Sequence, residues 1–173
     1  MHIFLQGHRG VGKSTVIQKT LDILAVQAPL ALGGFFTWND GRDDPHIYIR
    51  SAQSGREGEI HCLASWDMEK RVFSCDVKAF EQAAVHLLNN FKGAELIIMD
   101  ELGFLESKAP NFRQSVLDTI SGDIPVLGVL RLGDVPWHAE IKRNPRVTLY
   151  DVNEENRDTL PRELAAALST AKG

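Results

Sequence analysis

Apolar residues along the chain alternate between strand-like and helix-like spacing. The apolar run at 3–5 is followed by apolar residues three and four positions apart over 13–27, which predicts a strand and then a helix. Two later segments, 95–100 and 125–130, are rich in apolar residues in the way that is typical of strands buried on both faces. The full pattern predicts strands over about 3–5, 30–38, 46–50, 59–63, 95–100, 125–130 and 146–150, and helices over about 13–27, 76–92, 110–120, 136–142 and 158–171.

The order of these elements indicates the fold class. Strands alternate with helices, which predicts an α/β fold of three layers, with helices on both faces of a mostly parallel central sheet. The strands 46–50 and 59–63 interrupt the alternation and form a β-hairpin excursion, inserted at about 45–64. We expect one domain over 1–173, with its ligand at the carboxyl ends of the strands, where Gly7 and Asp100 fall.

Composition and charge exclude several classes of protein. The chain has 173 residues, of which 43% are hydrophobic, and this suits the core of one domain. No apolar run approaches the ~20 residues of a membrane span, and the N-terminus lacks a signal-peptide pattern, so we expect a cytoplasmic protein without membrane contact. The net charge of −4 argues against a nucleic-acid partner. Cys62 and Cys75 are too far apart for a C-x-x-C pair, so no cysteine metal site is predicted.

A complete phosphate-binding loop follows the first strand. The spacing fits G-x-x-x-x-G-K-[ST], and the predicted P-loop consists of Gly7, His8, Arg9, Gly10, Val11, Gly12, Lys13, Ser14 and Thr15. Backbone N–H groups of such a loop cradle phosphates, Lys13 would contact the β- and γ-phosphates, and the Ser14 hydroxyl would bind Mg²⁺. A glycine-rich turn that binds nothing is the alternative. The strand before it and the helix after it favour a nucleoside-triphosphate site in a P-loop NTPase fold.

The second candidate element is the apolar strand that ends in Asp100 and Glu101, in the manner of a Walker B segment. Asp100 would hold Mg²⁺, usually through its water, and Glu101 would orient and deprotonate the water that attacks the γ-phosphate. A buried strand that merely ends in solubilising acids is the alternative. The D-x-x-G pattern of GTPases also fits here, but no N-K-x-D follows in the chain, so guanine specificity is weakly supported.

With these motifs in place, the chain resembles the cancer-related nucleoside-triphosphatase family of small P-loop proteins. The resemblance spans nearly the whole length, and its most specific part is the D-E-x-G-x-x-E run at 100–106. It also rests on 7–15, 33–37, 125–127 and 156–157. It implies hydrolysis of several nucleoside triphosphates to the diphosphate with limited base selectivity, and contacts near the base from Asn156 and Arg157. The segment from Trp38 onward departs from the family's usual pattern.

Several side chains have two interpretations. Arg131, after a predicted central strand, is a candidate for neutralising transition-state charge or for a salt bridge to Asp134. The loop residues Arg9 and Arg42 can close over phosphates or remain solvated on the surface. Asn156 is also a candidate helix cap. The tryptophans Trp38, Trp66 and Trp137 are expected in or beside the core, with Trp38 as an alternative base contact.

The functional prediction is a Mg²⁺-dependent nucleoside-triphosphatase acting on ATP and GTP. One alternative is a kinase for a small molecule or a nucleotide, with the hairpin and the loop 39–45 forming the acceptor site. A second alternative is a nucleotide-gated binding module that signals to a protein partner through Phe104 and Leu105. In these hypotheses Lys13, Glu101 and Arg131 are the candidate catalytic residues.

Overall fold

The computed structural model describes residues 1–41, 43, 45–53, 59–67, 69–89 and 91–170. Within them the chain forms one mixed sheet with helices on both of its faces. The strands are β1 His2–Gln6, β2 Leu32–Asn39, β3 His46–Ser51, β4 Ile60–Asp67, β5 Val72–Cys75, β6 Leu96–Leu102, β7 Val126–Leu130 and β8 Val147–Asp151. The helices are α1 Lys13–Gln27, α2 Val77–Asn89, α3 Pro110–Ser121, α4 His138–Arg143 and α5 Leu160–Thr170, with a short 3₁₀ helix at Leu105–Lys108.

The sheet has the strand order β5-β4-β3-β2-β6-β7-β1-β8. In the half of the sheet with the order β2-β6-β7-β1-β8, every neighbouring pair is parallel. In the half with the order β5-β4-β3-β2, every neighbouring pair is antiparallel. The prediction of an α/β fold of three layers with a mostly parallel sheet is confirmed. The antiparallel excursion is longer than predicted, because β5 adds a further strand after the hairpin.

Alternation along the central strands divides the core between the two faces of the sheet. Ile97 packs with α2, α3 and α4, whereas the next residue, Ile98, packs with α1 and α5. This is the period-two pattern of a strand buried on both faces. On the first face Phe80 and Phe112 meet edge to face, with ring centroids 5.2 Å apart. Both faces are therefore covered, and the carboxyl ends of the parallel strands form the open edge.

No helix in the described ranges is long and apolar enough to cross a membrane. The cytoplasmic location stays a prediction.

Candidate active site

The predicted P-loop connects β1 to α1 and is shaped by its glycines. A Cβ on Gly7 would lie 2.5 Å from the backbone oxygen of Val152, so a side chain there would collide with the segment that follows β8. Gly12 precedes α1 with a φ of 107°, a conformation that L side chains rarely adopt. The loop therefore presents its backbone N–H groups and the N-terminus of α1 to an anion.

The Lys13 side chain folds back across the same loop. Its ammonium donates hydrogen bonds to the backbone oxygens of Gly7 and His8, at 2.9 and 3.0 Å. The side chain is buried, and the two carbonyl oxygens satisfy most of its donors. A positive charge is thus held beside the loop amides, where phosphate oxygens would be attracted.

Asp100, in β6, lies against the start of α1. Its Oδ1 is 3.4 Å from the Ser14 hydroxyl oxygen, which donates to it. The Asp100 side chain is deeply buried, and this burial raises the pKa of the carboxyl to about 6. The hydrogen bond from Ser14 and the charge of Lys13 oppose the increase, and the neighbouring Glu101 adds to it.

The oxygen donors of Ser14 and Asp100 fit a hard divalent cation. In the described ranges, this site included, no group of three or more His, Cys, Asp or Glu side chains is placed to hold a metal ion. Mg²⁺ suits such a sparse site, because it keeps several waters and takes further oxygens from phosphates. A buried carboxylate with a raised pKa also gains from a nearby cation, which favours its charged form.

Glu101 follows Asp100 at the cleft and is anchored through its backbone. Its N–H donates to the Thr37 hydroxyl oxygen of β2 at 2.9 Å. Two residues further on, the Gly103 N–H donates to Glu106 Oε2 at 2.9 Å, and the Gly103 carbonyl accepts from the Trp137 indole at 3.0 Å. Hydrogen bonds at both the N–H and the carbonyl of Gly103 thus fix the backbone that follows Glu101.

Arg131 directly follows β7 and faces the same cleft. Its backbone N–H donates to the Leu102 carbonyl at 2.8 Å, and its guanidinium lies 4.9 Å above the Phe104 ring centroid. In the portion of the chain that the structure describes, Arg131 and Asp134 form no ion pair. Of the two interpretations made from the sequence, the geometry therefore favours a guanidinium directed to the cleft.

Asn156 and Arg157 lie on the opposite side of the P-loop, between β8 and α5. The Asn156 amide bridges the turn, because it donates to the Asp151 carbonyl at 2.8 Å and accepts from the Asn153 N–H at 2.9 Å. Arg157 reaches the P-loop itself and donates to the Val11 carbonyl at 3.5 Å. Asn156 thus shapes the turn that places Arg157 against the loop.

A cleft of about 830 Å³ brings most of the predicted site residues together. Among the candidates, it is lined by Gly7, Arg9, Gly10, Gly12, Lys13, Ser14, Thr15, Asp100, Glu101 and Arg131. His8 and Val11 contribute backbone carbonyls to Lys13 and Arg157 instead. Arg42 lies outside the described residues.

The sequence analysis gave no role in the site to Thr37, Trp66 and Phe73, which line the cleft, or to the buried Glu106 beside it. Thr37 and Glu106 stand inside the motifs that carry the family resemblance, so a signal existed for both. Trp66 was expected to pack in or beside the core, but it is 36% exposed and lines the cleft with Phe73 of β5. The kinase hypothesis placed the hairpin, and with it β4, at an acceptor site, but no local pattern predicted β5, which antiparallel pairing with β4 brings there.

Comparison with known proteins identifies the family. The NTPase family model matches residues 2–165. The chain belongs to the NTPase family. Nucleoside-triphosphatase THEP1 of Thermotoga sp. (strain RQ2) is 29% identical over 178 residues, which cover 100% of this chain and 98% of that protein. The mouse cancer-related nucleoside-triphosphatase homolog is 27% identical over 191 residues, covering 99% of this chain and 98% of its own.

Solved structures agree with this NTPase assignment. The crystal structure of THEP1 from Aquifex aeolicus has a TM-score of 0.78 at 27% identity. The match covers 97% of this chain and 99% of the THEP1 chain. The solution structure of a human cancer-related nucleoside triphosphatase has a TM-score of 0.75 at 26% identity, covering 98% and 97%. The resemblance to this family and the prediction of an enzyme are confirmed.

Proposed function

We propose that this NTPase is a Mg²⁺-dependent phosphohydrolase that converts nucleoside triphosphates, ATP and GTP among them, to the diphosphate and phosphate. The observation that carries the proposal is the convergence of Lys13, Ser14, Asp100 and Glu101 on one cleft. Relatives over the full length are named nucleoside-triphosphatases, which supports hydrolysis as the reaction.

The P-loop and the cation would bind the triphosphate. Backbone N–H groups of 7–15 and the Lys13 ammonium would contact the β- and γ-phosphates. Ser14 and Asp100 would hold the divalent cation, which neutralises charge on the phosphate oxygens when bound. The fixed loop shape means that these charges need little rearrangement when the nucleotide binds.

Glu101 would act on the attacking water. Its carboxylate accepts a proton from a water whose oxygen attacks the γ-phosphorus, while the bond from that phosphorus to the β–γ bridging oxygen breaks. The hydrogen bond between the Glu101 N–H and Thr37, at 2.9 Å, anchors the backbone that carries this carboxylate. The Arg131 guanidinium, after the neighbouring strand β7, would neutralise charge on the γ-phosphate in the transition state.

Arg157 would contact the nucleobase without distinguishing it. The residue lies against the P-loop, in a turn held by Asn156, on the side away from Glu101. A guanidinium stacks on any base face, so it contributes affinity and little selectivity. Hydrolysis of several nucleoside triphosphates follows from this type of contact.

The test is phosphate release from ATP, GTP, CTP and UTP with Mg²⁺ and no acceptor. Glu101→Gln keeps the size of the side chain but removes the base, so release is expected to fall about 10²–10⁴-fold with Mg-nucleotide still bound. Asp118→Asn is the matched control, because this exposed α3 carboxylate lies outside the cleft. Full activity of Glu101→Gln would remove Glu101 as the base. Tight nucleotide binding without release by the wild type would refute hydrolysis itself.

A further inference from the structure

Four aromatic side chains form one side of the cleft beyond the two carboxylates. They are Trp38 of β2, Trp66 of β4, Phe73 of β5 and Phe104 after β6, and we call them the aromatic wall. Ring centroids of Trp66 and Phe73 are 5.8 Å apart, and those of Phe73 and Phe104 are 5.9 Å apart. Trp38 stacks on Tyr48 with centroids 5.4 Å apart. Four chain segments build the wall, and ring contacts connect Trp66, Phe73 and Phe104.

The aromatic wall remains accessible although its residues are large and apolar. Trp38 and Phe104 are 37% and 45% exposed, and both line the cleft. Single exposed apolar residues need no explanation, but clustered aromatic rings at the mouth of a polar cleft are typical of a ligand site. The face that these rings present to the cleft is therefore available for a planar ligand.

The order of strands separates the aromatic wall from the proposed nucleobase contact. Arg157 follows β8, which borders β1 and the P-loop on one side, whereas Asp100 and Glu101 end β6 on the other. The strands β2, β3, β4 and β5 extend the sheet further from β8. A nucleotide with its base beside Arg157 and its γ-phosphate beside Glu101 thus ends before it reaches the aromatic wall. In this binding mode the wall would lie on the side of the γ-phosphate that faces away from the base.

The charges around the aromatic wall restrict what can bind there. On this side of the cleft the described lining residues Thr37, Trp38, Asn39, Pro45, Ile47, Trp66 and Phe73 carry no charge. Among the described residues, the cation that meets the wall is Arg131, whose guanidinium lies 4.9 Å from the Phe104 ring centroid. Lys13 and Arg131 lie with the proposed triphosphate, and Glu101 would repel a second anion. A phosphorylated acceptor therefore lacks a counter-charge, whereas an uncharged aromatic molecule gains stacking contacts.

We propose that the aromatic wall binds an uncharged heteroaromatic alcohol of the nucleoside class, and that the enzyme transfers the γ-phosphoryl group to its hydroxyl in competition with water. This rests on the proposed function, because it uses the same triphosphate site and the same base. A nucleoside meets both requirements of the site, with a planar base for the rings and a hydroxyl that extends toward Glu101.

The transfer balances without any further reactant. The hydroxyl oxygen of the acceptor attacks the γ-phosphorus, and the bond from that phosphorus to the β–γ bridging oxygen breaks. The hydroxyl proton passes to the Glu101 carboxylate, and the nucleoside diphosphate leaves with the bridging oxygen. The products are a phosphate monoester of the acceptor and the diphosphate.

The experiment offers γ-labelled ATP and Mg²⁺ together with adenosine, guanosine, cytidine or uridine, and measures labelled monophosphate and labelled free phosphate separately. The wild type is expected to phosphorylate at least one nucleoside. In Trp66→Ala the ratio of transfer to hydrolysis is expected to fall at least tenfold, because one face of the stacking surface is lost. Val26→Ala, at a position on α1 that is 88% exposed and outside the cleft, is expected to keep the wild-type ratio.

A binding measurement on the wild type tests the acceptor site even if Trp66→Ala fails to fold. Nucleosides are titrated into wild-type protein saturated with Mg²⁺ and a non-hydrolysable ATP analogue, and the emission of Trp38 and Trp66 is expected to change. If wild type hydrolyses ATP but makes no labelled monophosphate and shows no emission change, the acceptor site is refuted and the hydrolase stands. If wild type fails to bind Mg-ATP at all, the proposed function fails as well.

Discussion

Replacing Glu106 with glutamine is expected to change how the stability of the protein depends on pH. The Glu106 side chain is 5% exposed, and its Oε2 accepts the hydrogen bond from the Gly103 N–H at 2.9 Å. Burial is the main cause that raises the pKa of this carboxyl from its usual 4.5 to about 7. The charge of Glu101 contributes to the increase, whereas the backbone hydrogen bonds and Arg131 oppose it.

The direction and size of the effect follow from linkage between protonation and folding. Between these two pKa values the native protein keeps a proton on Glu106 that the unfolded chain has released, so stability falls as pH rises. The contribution is fully present below about pH 4.5 and is lost as pH passes through about 7. At about 1.4 kcal/mol for each pH unit between the two pKa values, the loss is on the order of 3 kcal/mol. Glutamine does not titrate, and its amide oxygen can still accept from Gly103.

Urea unfolding at half-unit steps from pH 4.5 to 8.5 measures this effect. The free energy of unfolding of the wild type, minus that of Glu106→Gln, is expected to fall by about 3 kcal/mol across this range. The exposed glutamate Glu154 supplies the control, because Glu154→Gln removes a carboxylate that is already solvated. A difference for Glu106→Gln that stays constant with pH would refute the reasoning, since it would mean that the buried carboxyl does not titrate between the two values.

Three further predictions concern the triphosphate site and the sheet. Lys13→Met removes the ammonium that bonds two P-loop carbonyls, so calorimetry is expected to detect no Mg-ATP binding while the fold persists. Arg157→Ala is expected to weaken ATP and GTP by the same factor, with Lys19→Ala as the surface control; unequal losses would show that Arg157 distinguishes the bases. Gly128→Ala places a Cβ 2.5 Å from the Phe4 ring, and thermal unfolding is expected to show a loss of about 1–3 kcal/mol in the free energy of unfolding. If adding Phe4→Leu to this variant restores no part of the loss, the steric cause is contradicted.

The elements that the sequence predicted well are those whose structure is determined locally or by burial. The helix α1 begins and ends at the predicted residues, because an apolar stripe coincides with a P-loop at one end and a proline soon after the other. The strands β6 and β7 were recognised from apolar runs, since burial on both faces leaves little room for polar residues. The strand β5 has only four residues, which alternate between exposed and half-buried, and it was missed.

The site residues that the sequence predicted are those that belong to motifs of fixed spacing. The P-loop and the pair Asp100 and Glu101 have fixed chemical spacing, and the structure brings them to one cleft. The position of Arg131 was undecided from the sequence, because both Asp134 and the cleft were within reach. In the structure its N–H donates to the Leu102 carbonyl and its guanidinium lies over the Phe104 ring at the cleft, and its role in neutralising charge stays a prediction.

The departure from the family pattern and the aromatic wall fall in the same part of the molecule. The chain has a complete P-loop at 7–15, and the segment that departs from the family's usual pattern begins at Trp38, the first residue of the wall. It continues through β3 toward β4, which carries Trp66. Phosphoryl transfer needs fixed charges after β1 and in β6. The antiparallel strands β3, β4 and β5 only have to fit the molecule that attacks the γ-phosphate. The extension can therefore vary with the proposed acceptor while the triphosphate site stays intact.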